Sequence, residues 1–186
     1  MILYINACVR TGSRTKRLAE CLLKKLNDEI KEINLEKEKI LPLDGETLDL
    51  RTKLAQVGDF NNPVFDYAKD FAKADTIVIA SPFWDLSFPA SLKCYIEAVN
   101  IVGITFEYST EGIPYGLCKA KKLYYVTTSG GKIFNNEYGF GYIKSLCDNF
   151  YGIGDVFFLN AENLDIVGSD VESILSTAEE EIKKTK

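Results

Sequence analysis

Short apolar runs alternate along this chain with stretches of helical periodicity. That alternation limits its fold more than any other feature. Four runs, "ILYINA" (2–7), "TIVIAS" (76–81), "KLYYVTT" (122–128) and "DVFFLN" (155–160), have the length and β-branched or aliphatic content of buried strands. A fifth, "EIKEINLE" (29–36), alternates and reads as an edge strand. Leu18, Leu22, Leu26 and Ile30 recur at four-residue spacing between the first run and the fifth. Leu92, Ile96 and Val99 repeat the pattern over 89–101, with Pro89 suited to a first helical position. Val171, Ile174, Leu175, Ala178 and Ile182 mark a last helix, which Ser169 or Asp170 can cap. Strands alternating with helices predict a parallel sheet with right-handed crossovers. Five strands predict the doubly wound order 2-1-3-4-5, an α/β three-layer sandwich in which 1–186 form one domain.

Two stretches, 41–62 and 102–119, read as long irregular connections. The net charge of −5 gives no general attraction to nucleic acid or anionic membrane, and no apolar run approaches the length of a spanning helix. Nothing resembling a secretion signal precedes "MILYINA", so a cytoplasmic location is expected. The five cysteines are scattered and form no CxxC pair, which predicts reduced thiols and no structural metal site. The chain has no histidine. Without the usual general base and commonest metal ligand, any enzymatic chemistry points to a cofactor.

In a sheet of order 2-1-3-4-5, ligands bind beyond the carboxyl ends of the strands, at the switch point between strands 1 and 3. After strand 1 comes "ACVRTGSRT", where Gly12 permits a tight turn and a new helix presents its amides and positive dipole end. Ser13 and Thr15 offer hydroxyls, and Arg10 and Arg14 offer charge-assisted hydrogen bonds. Taken alone, the same residues fit an ordinary capped helix start equally well. After strand 3 comes "SPFWDLSFP", crowded with Phe83, Trp84, Leu86 and Phe88; it suits either a planar ligand or a core plug. After strand 4 comes "TTSGGK", whose glycines let backbone approach a ligand or simply form a turn. Together, an anion cradle, an apolar shelf and an amide nest on one rim match a flavin mononucleotide, FMN.

At this point the sequence resembles the FMN-dependent NADH azoreductase and NAD(P)H:quinone oxidoreductase group of the flavodoxin-like superfamily. The likeness runs from the first strand to "GIGDVFFLNAEN" (152–163), is thinnest over 31–62 and is most specific over 81–131. It implies that Pro82, Phe83, Trp84, Asp85 and Leu86 line the flavin. Thr128, Ser129, Gly130 and Gly131 would meet its pyrimidine end, and Ser13, Arg14 and Thr15, with Arg10, its phosphate. Two positions depart from the family. Asp85 stands where an Asn is usual, and an ionised group there disfavours electron-rich reduced flavin. Ala7 replaces a frequent phosphate-binding Ser.

The resemblance implies hydride transfer from NAD(P)H through FMN to a small-molecule acceptor, a quinone or azo compound, with flavin N5 rather than any side chain carrying the chemistry. Trp84 and Phe134 are candidate walls for nicotinamide or substrate. It also implies a homodimer, with 103–115, including Phe106 and Tyr108, reaching a second subunit. Tyr67, Tyr142 and Tyr151 receive no role, and Cys8 is read as unreactive. Two alternatives stand beside this reading: a flavodoxin-like FMN electron carrier and a cofactor-free binding module.

Overall fold

Within each central strand, alternate residues face opposite sides of the sheet, and each side is covered by helices. The computed structural model describes residues 1–185. In chain order it forms β1 (Ile2–Asn6), α1 (Arg14–Leu26), β2 (Ile30–Asn34), α2 (Leu35–Glu38), α3 (Gly45–Gln56) and α4 (Asp66–Lys73). Then follow β3 (Thr76–Ala80), α5 (Ala90–Val99), β4 (Phe106–Tyr108), β5 (Pro114–Gly116) and β6 (Lys122–Thr128). The chain closes with α6 (Tyr142–Leu146), β7 (Asp155–Ala161) and α7 (Val171–Lys184). Single π turns, Glu137–Gly141 and Cys147–Tyr151, flank α6.

The main sheet has the order β2-β1-β3-β6-β7 with every pairing parallel, which is the expected 2-1-3-4-5. Leu3, Ile5, Ile77, Ile79 and Leu123 pack with Leu92, Tyr95 and Ile96 of α5 on one face. Ile2, Tyr4, Val78 and Tyr124 pack with Leu18 and Leu22 of α1 and Leu175 and Ile182 of α7 on the other. The α1–α7 layer is also tied by Arg17, whose guanidinium donates to Glu172 at 2.6 and 2.8 Å and to Glu179 at 2.6 Å.

Local chemistry changes several sequence expectations. The helical stripe stops short of Ile30, because Asn27 turns left-handed (φ 47°) and closes α1 through its amide to the Leu23 carbonyl. Ile30 instead begins β2 and is exposed. The stretch 41–62 contains α3, capped by Asp44 accepting from the Thr47 amide, yet α3 has no buried residue and hence no clear apolar stripe. The stretch 102–119 contains the antiparallel hairpin β4–β5. α4 and α6 occupy residues to which the sequence pattern assigned nothing. Pro89 precedes α5 as its cap residue, and Asp170 caps α7 by accepting from the Ser173 amide. β7, expected to be buried, is a half-buried edge strand.

Candidate functional site

The parallel order places the loops that follow β1, β3 and β6 side by side at the carboxyl edge of the sheet. They enclose a cleft of about 480 Å³ lined by Arg10–Thr15, Pro82–Trp84, Thr128–Gly130, Leu164 and Asp165. This volume lies within the range of about 300–1,000 Å³ usual for cofactor pockets.

Gly12, at φ +72°, turns the β1 loop into α1. Ser13 caps that helix: its Oγ accepts from the Lys16 amide at 3.3 Å. The cap uses a lone pair and not the hydroxyl proton, and the same hydroxyl lies within hydrogen-bond reach of the Cys8 thiol. The amides of Arg14 and Thr15, in the first turn of the helix, have no intrahelical acceptor and point with its positive end. Thr15 is 1% exposed, and its Oγ1 lies 2.6 Å from Thr128 Oγ1, joining the β1 loop to the end of β6. One proton satisfies that contact, so the pair keeps a second to donate. Arg10 is exposed, and among the described residues no carboxylate pairs with it.

The β3 loop continues the sheet past β3. The Ser81 amide donates to Val126 and the Phe83 amide to Thr128. It then reverses in a two-residue hairpin in which Trp84 and Ser87 exchange hydrogen bonds of 3.2 and 2.7 Å. Asp85 (φ 51°) and Leu86 (φ 64°) occupy the turn, both left-handed, as a type I′ turn requires. Asp tolerates this conformation; for Leu it costs about 1–2 kcal/mol. Ser87 Oγ donates to the Tyr138 carbonyl at 2.6 Å and anchors the hairpin to the first π turn. Half-buried Phe83 and partly exposed Trp84 thus line the cleft, whereas Asp85 and Leu86 sit on the exposed tip outside its lining.

The β6 loop begins with Ser129, whose amide donates to Ala161 and whose hydroxyl donates to the Gly131 carbonyl at 2.5 Å. The amides of Gly130 and Gly131 have no acceptor among the described residues. Gly130 lines the cleft, and Gly131 lies just beyond it.

The sequence pattern pointed to three loops, and a fourth takes part. After β7, the amides of Leu164 and Asp165 donate to the Ser129 and Gly130 carbonyls at 3.2 and 2.9 Å. Arg14 Nη1 donates to Asp165 Oδ1 at 2.7 Å. The signal available in the sequence was topological: the strand beside β6 must also open its loop onto this edge.

Other candidates fall elsewhere. Ala7 is buried and its amide extends β1 by donating to Ala80. Phe134 is 88% exposed on the loop beyond Gly131, with Lys132 Nζ 5.6 Å from its ring centre. Phe106 is 5% exposed and stacks on Phe150 at 4.4 Å within the same chain, so it is not free to reach a partner; Tyr108 is exposed. Burial pushes the Cys8 thiol up to about 11, which keeps it protonated and unreactive near neutrality.

A family model described as having a flavodoxin-like fold matches residues 1–185. An FMN-dependent NADH:quinone oxidoreductase 2 of Clostridium acetobutylicum is 39% identical, with 98% of this chain and 96% of that protein covered. An FMN-dependent NADH:quinone oxidoreductase of Clostridium beijerinckii is 36% identical over 99% of this chain and 96% of its own length. The crystal structure of an azoreductase from Bacillus anthracis superposes with a TM-score of 0.84 at 26% identity, covering 98% of this chain and 96% of that one.

Proposed function

The chain belongs to the flavodoxin-like fold family, and from that premise we propose that it is an FMN-dependent NAD(P)H oxidoreductase acting on quinone or azo acceptors. The observation that carries this reading is the convergence of the β1, β3 and β6 loops on one cleft. Its free donors fit the group: helix amides with hydroxyl protons in one corner, unpaired glycine amides in another, an aromatic pair between. Bound FMN supplies the electron-accepting ring that this histidine-free chain lacks among its side chains.

The roles of the residues follow from what each has left to offer. Ser13, Thr15 and the amides of Arg14 and Thr15 hold the phosphate, and Arg10 adds charge at the rim. Phe83 and Trp84, which line the cleft, would form the apolar wall beside the ring and keep water from it. The amide of Gly130 on the lining, with that of Gly131 just beyond it, would donate to the pyrimidine edge of bound FMN and would favour negative charge there. Asp85, on its exposed tip outside the lining, would act on bound flavin through solvent rather than by contact. The curated relatives are named for NADH, which makes NADH the first cosubstrate to try.

We extend the proposal to a cytoplasmic homodimer. Trp84, Leu86, Phe134 and Tyr138 are exposed on the loops around the cleft, an apolar rim suited to a second copy. Among the described residues no helix is long and apolar enough to cross a membrane. The absorption spectrum of purified protein tests the central reading. A yellow protein that bleaches with NADH under anaerobic conditions, regains colour with a quinone, and turns over NADH steadily supports it. Colourless protein that fails to take up added FMN overturns it, and reduction without turnover points to an electron carrier.

A further inference from the structure

The lining of the cleft includes one carboxylate, Asp165, which lies against both Arg14 of the helix corner and Gly130 of the glycine corner. Only Arg10 and Arg14 bring cationic side chains to the lining, and Arg14 is already paired with Asp165 at 2.7 Å. This contact is built rather than incidental. The Asp165 amide is fixed to the Gly130 carbonyl at 2.9 Å, and the preceding Leu164 amide to Ser129. The missing side chain of Gly130 makes room for it: a Cβ there would lie 2.4 Å from Asp165 Oδ2. Gly130 adopts no left-handed conformation, so close approach of Asp165 is a reason for glycine at this position independent of backbone freedom.

We propose that Asp165 is an affinity-setting residue of the anion site, competing with an incoming phosphate for the guanidinium of Arg14. The identification of that phosphate as the one on FMN rests on the function proposed above. A carboxylate and a phosphate dianion cannot both sit against one guanidinium without mutual repulsion. Binding therefore opens or crowds the Arg14–Asp165 pair. The side chains of both residues are partly exposed, 39% and 66%, so the pair itself is weak and can be displaced. The consequence is a flavin held exchangeably rather than locked in place.

A double-mutant cycle on the 186-residue chain, freed of any bound flavin, tests this. FMN and riboflavin are titrated by flavin fluorescence into wild type, Asp165→Asn, Arg14→Gln and the double variant. Asp165→Asn should tighten FMN about fivefold, equivalent to about 1 kcal/mol, and leave riboflavin unchanged because it has no phosphate. In the Arg14→Gln background the same substitution should have less than about half that effect in free energy. The proposal is overturned if Asp165→Asn weakens FMN, shifts both flavins alike, or acts equally without Arg14. If wild type binds neither flavin, the proposed function fails, and inorganic phosphate still tests the competition. Phosphate should then raise the melting temperature of Asp165→Asn more than that of wild type, and equal shifts would overturn the proposal.

Discussion

Two concavities of similar size on this molecule differ in chemistry. The cleft at the carboxyl edge of the sheet, about 480 Å³, is lined by hydroxyls, glycine backbone and two arginines. A groove of about 570 Å³ between α3, the end of α5 and the hairpin segment is lined largely by apolar side chains, among them Leu48, Ala55, Phe60, Phe65, Ile101 and Val102. The groove is the larger, yet lacks the cleft's convergent set of unpaired donors. What separates them is origin. The cleft is imposed by sheet topology, since parallel neighbours must open their loops on the same edge. The groove exists because α3 rests on its neighbours with no residue of its own buried. Substitutions in the groove should therefore change stability, and substitutions in the cleft should change affinity.

The largest effect is expected at Gly103, in the groove. Its φ is +84°, and a Cβ there would lie 2.9 Å from Phe60 Cζ. Gly103→Ala combines left-handed strain with an aromatic ring that has to move, and should cost about 2 kcal/mol. Urea unfolding would show this as a lower midpoint at unchanged slope. FMN affinity of the folded fraction should stay at the wild-type value. An unchanged midpoint would mean that α3 and Phe60 yield freely and that the groove is softer than its packing indicates.

In the cleft the expectation is reversed. Ser13→Ala combined with Thr15→Ala removes two hydroxyls and the cap of α1. Lost hydrogen bonds to a charged group should weaken FMN by about 1.5 kcal/mol, roughly tenfold, in equilibrium titration. Loss of the cap should cost about 1 kcal/mol of stability. Full FMN affinity in this variant would remove Ser13 and Thr15 from the phosphate site and leave them as structural residues.

The same contrast explains how much was legible in the sequence. The five strands and the edge they share are written as apolar runs, because a sheet covered on both faces needs them. Three loops of the cleft were legible for that reason: each follows a readable strand. The β7 loop was not, because Asn163-Leu164-Asp165 has no motif and matters only through its bonds to Ser129 and Gly130. Arg17 marks where the cradle ends: one helical turn beyond Arg14 takes it to Glu172 and Glu179 of α7. α3 lacks a readable stripe because amphipathic periodicity arises from burial, and none of its residues is fully buried. Asp85 and Leu86 were read as lining from their place in the loop, and a two-residue turn carried them to its tip.

The smallest effect is expected at Arg51, and it tests the comparison most directly. Arg51 donates from Nη1 to the Glu97 carbonyl at 2.9 Å and from Nη2 to the Asn100 carbonyl at 3.1 Å. These carbonyls close α5, where the helix dipole is negative and a cation is favoured. Burial among the groove residues lowers the guanidinium pKa, a direction that opposes the dipole gain without removing the charge. Arg51→Met, which keeps the apolar stem and removes the two hydrogen bonds of the fork, should cost about 1 kcal/mol. It leaves two carbonyls to water at the mouth of the groove. Hydrogen exchange should quicken at the end of α5 and along α3, while FMN affinity stays fixed. If Arg51→Met instead weakens FMN, the two concavities are not independent.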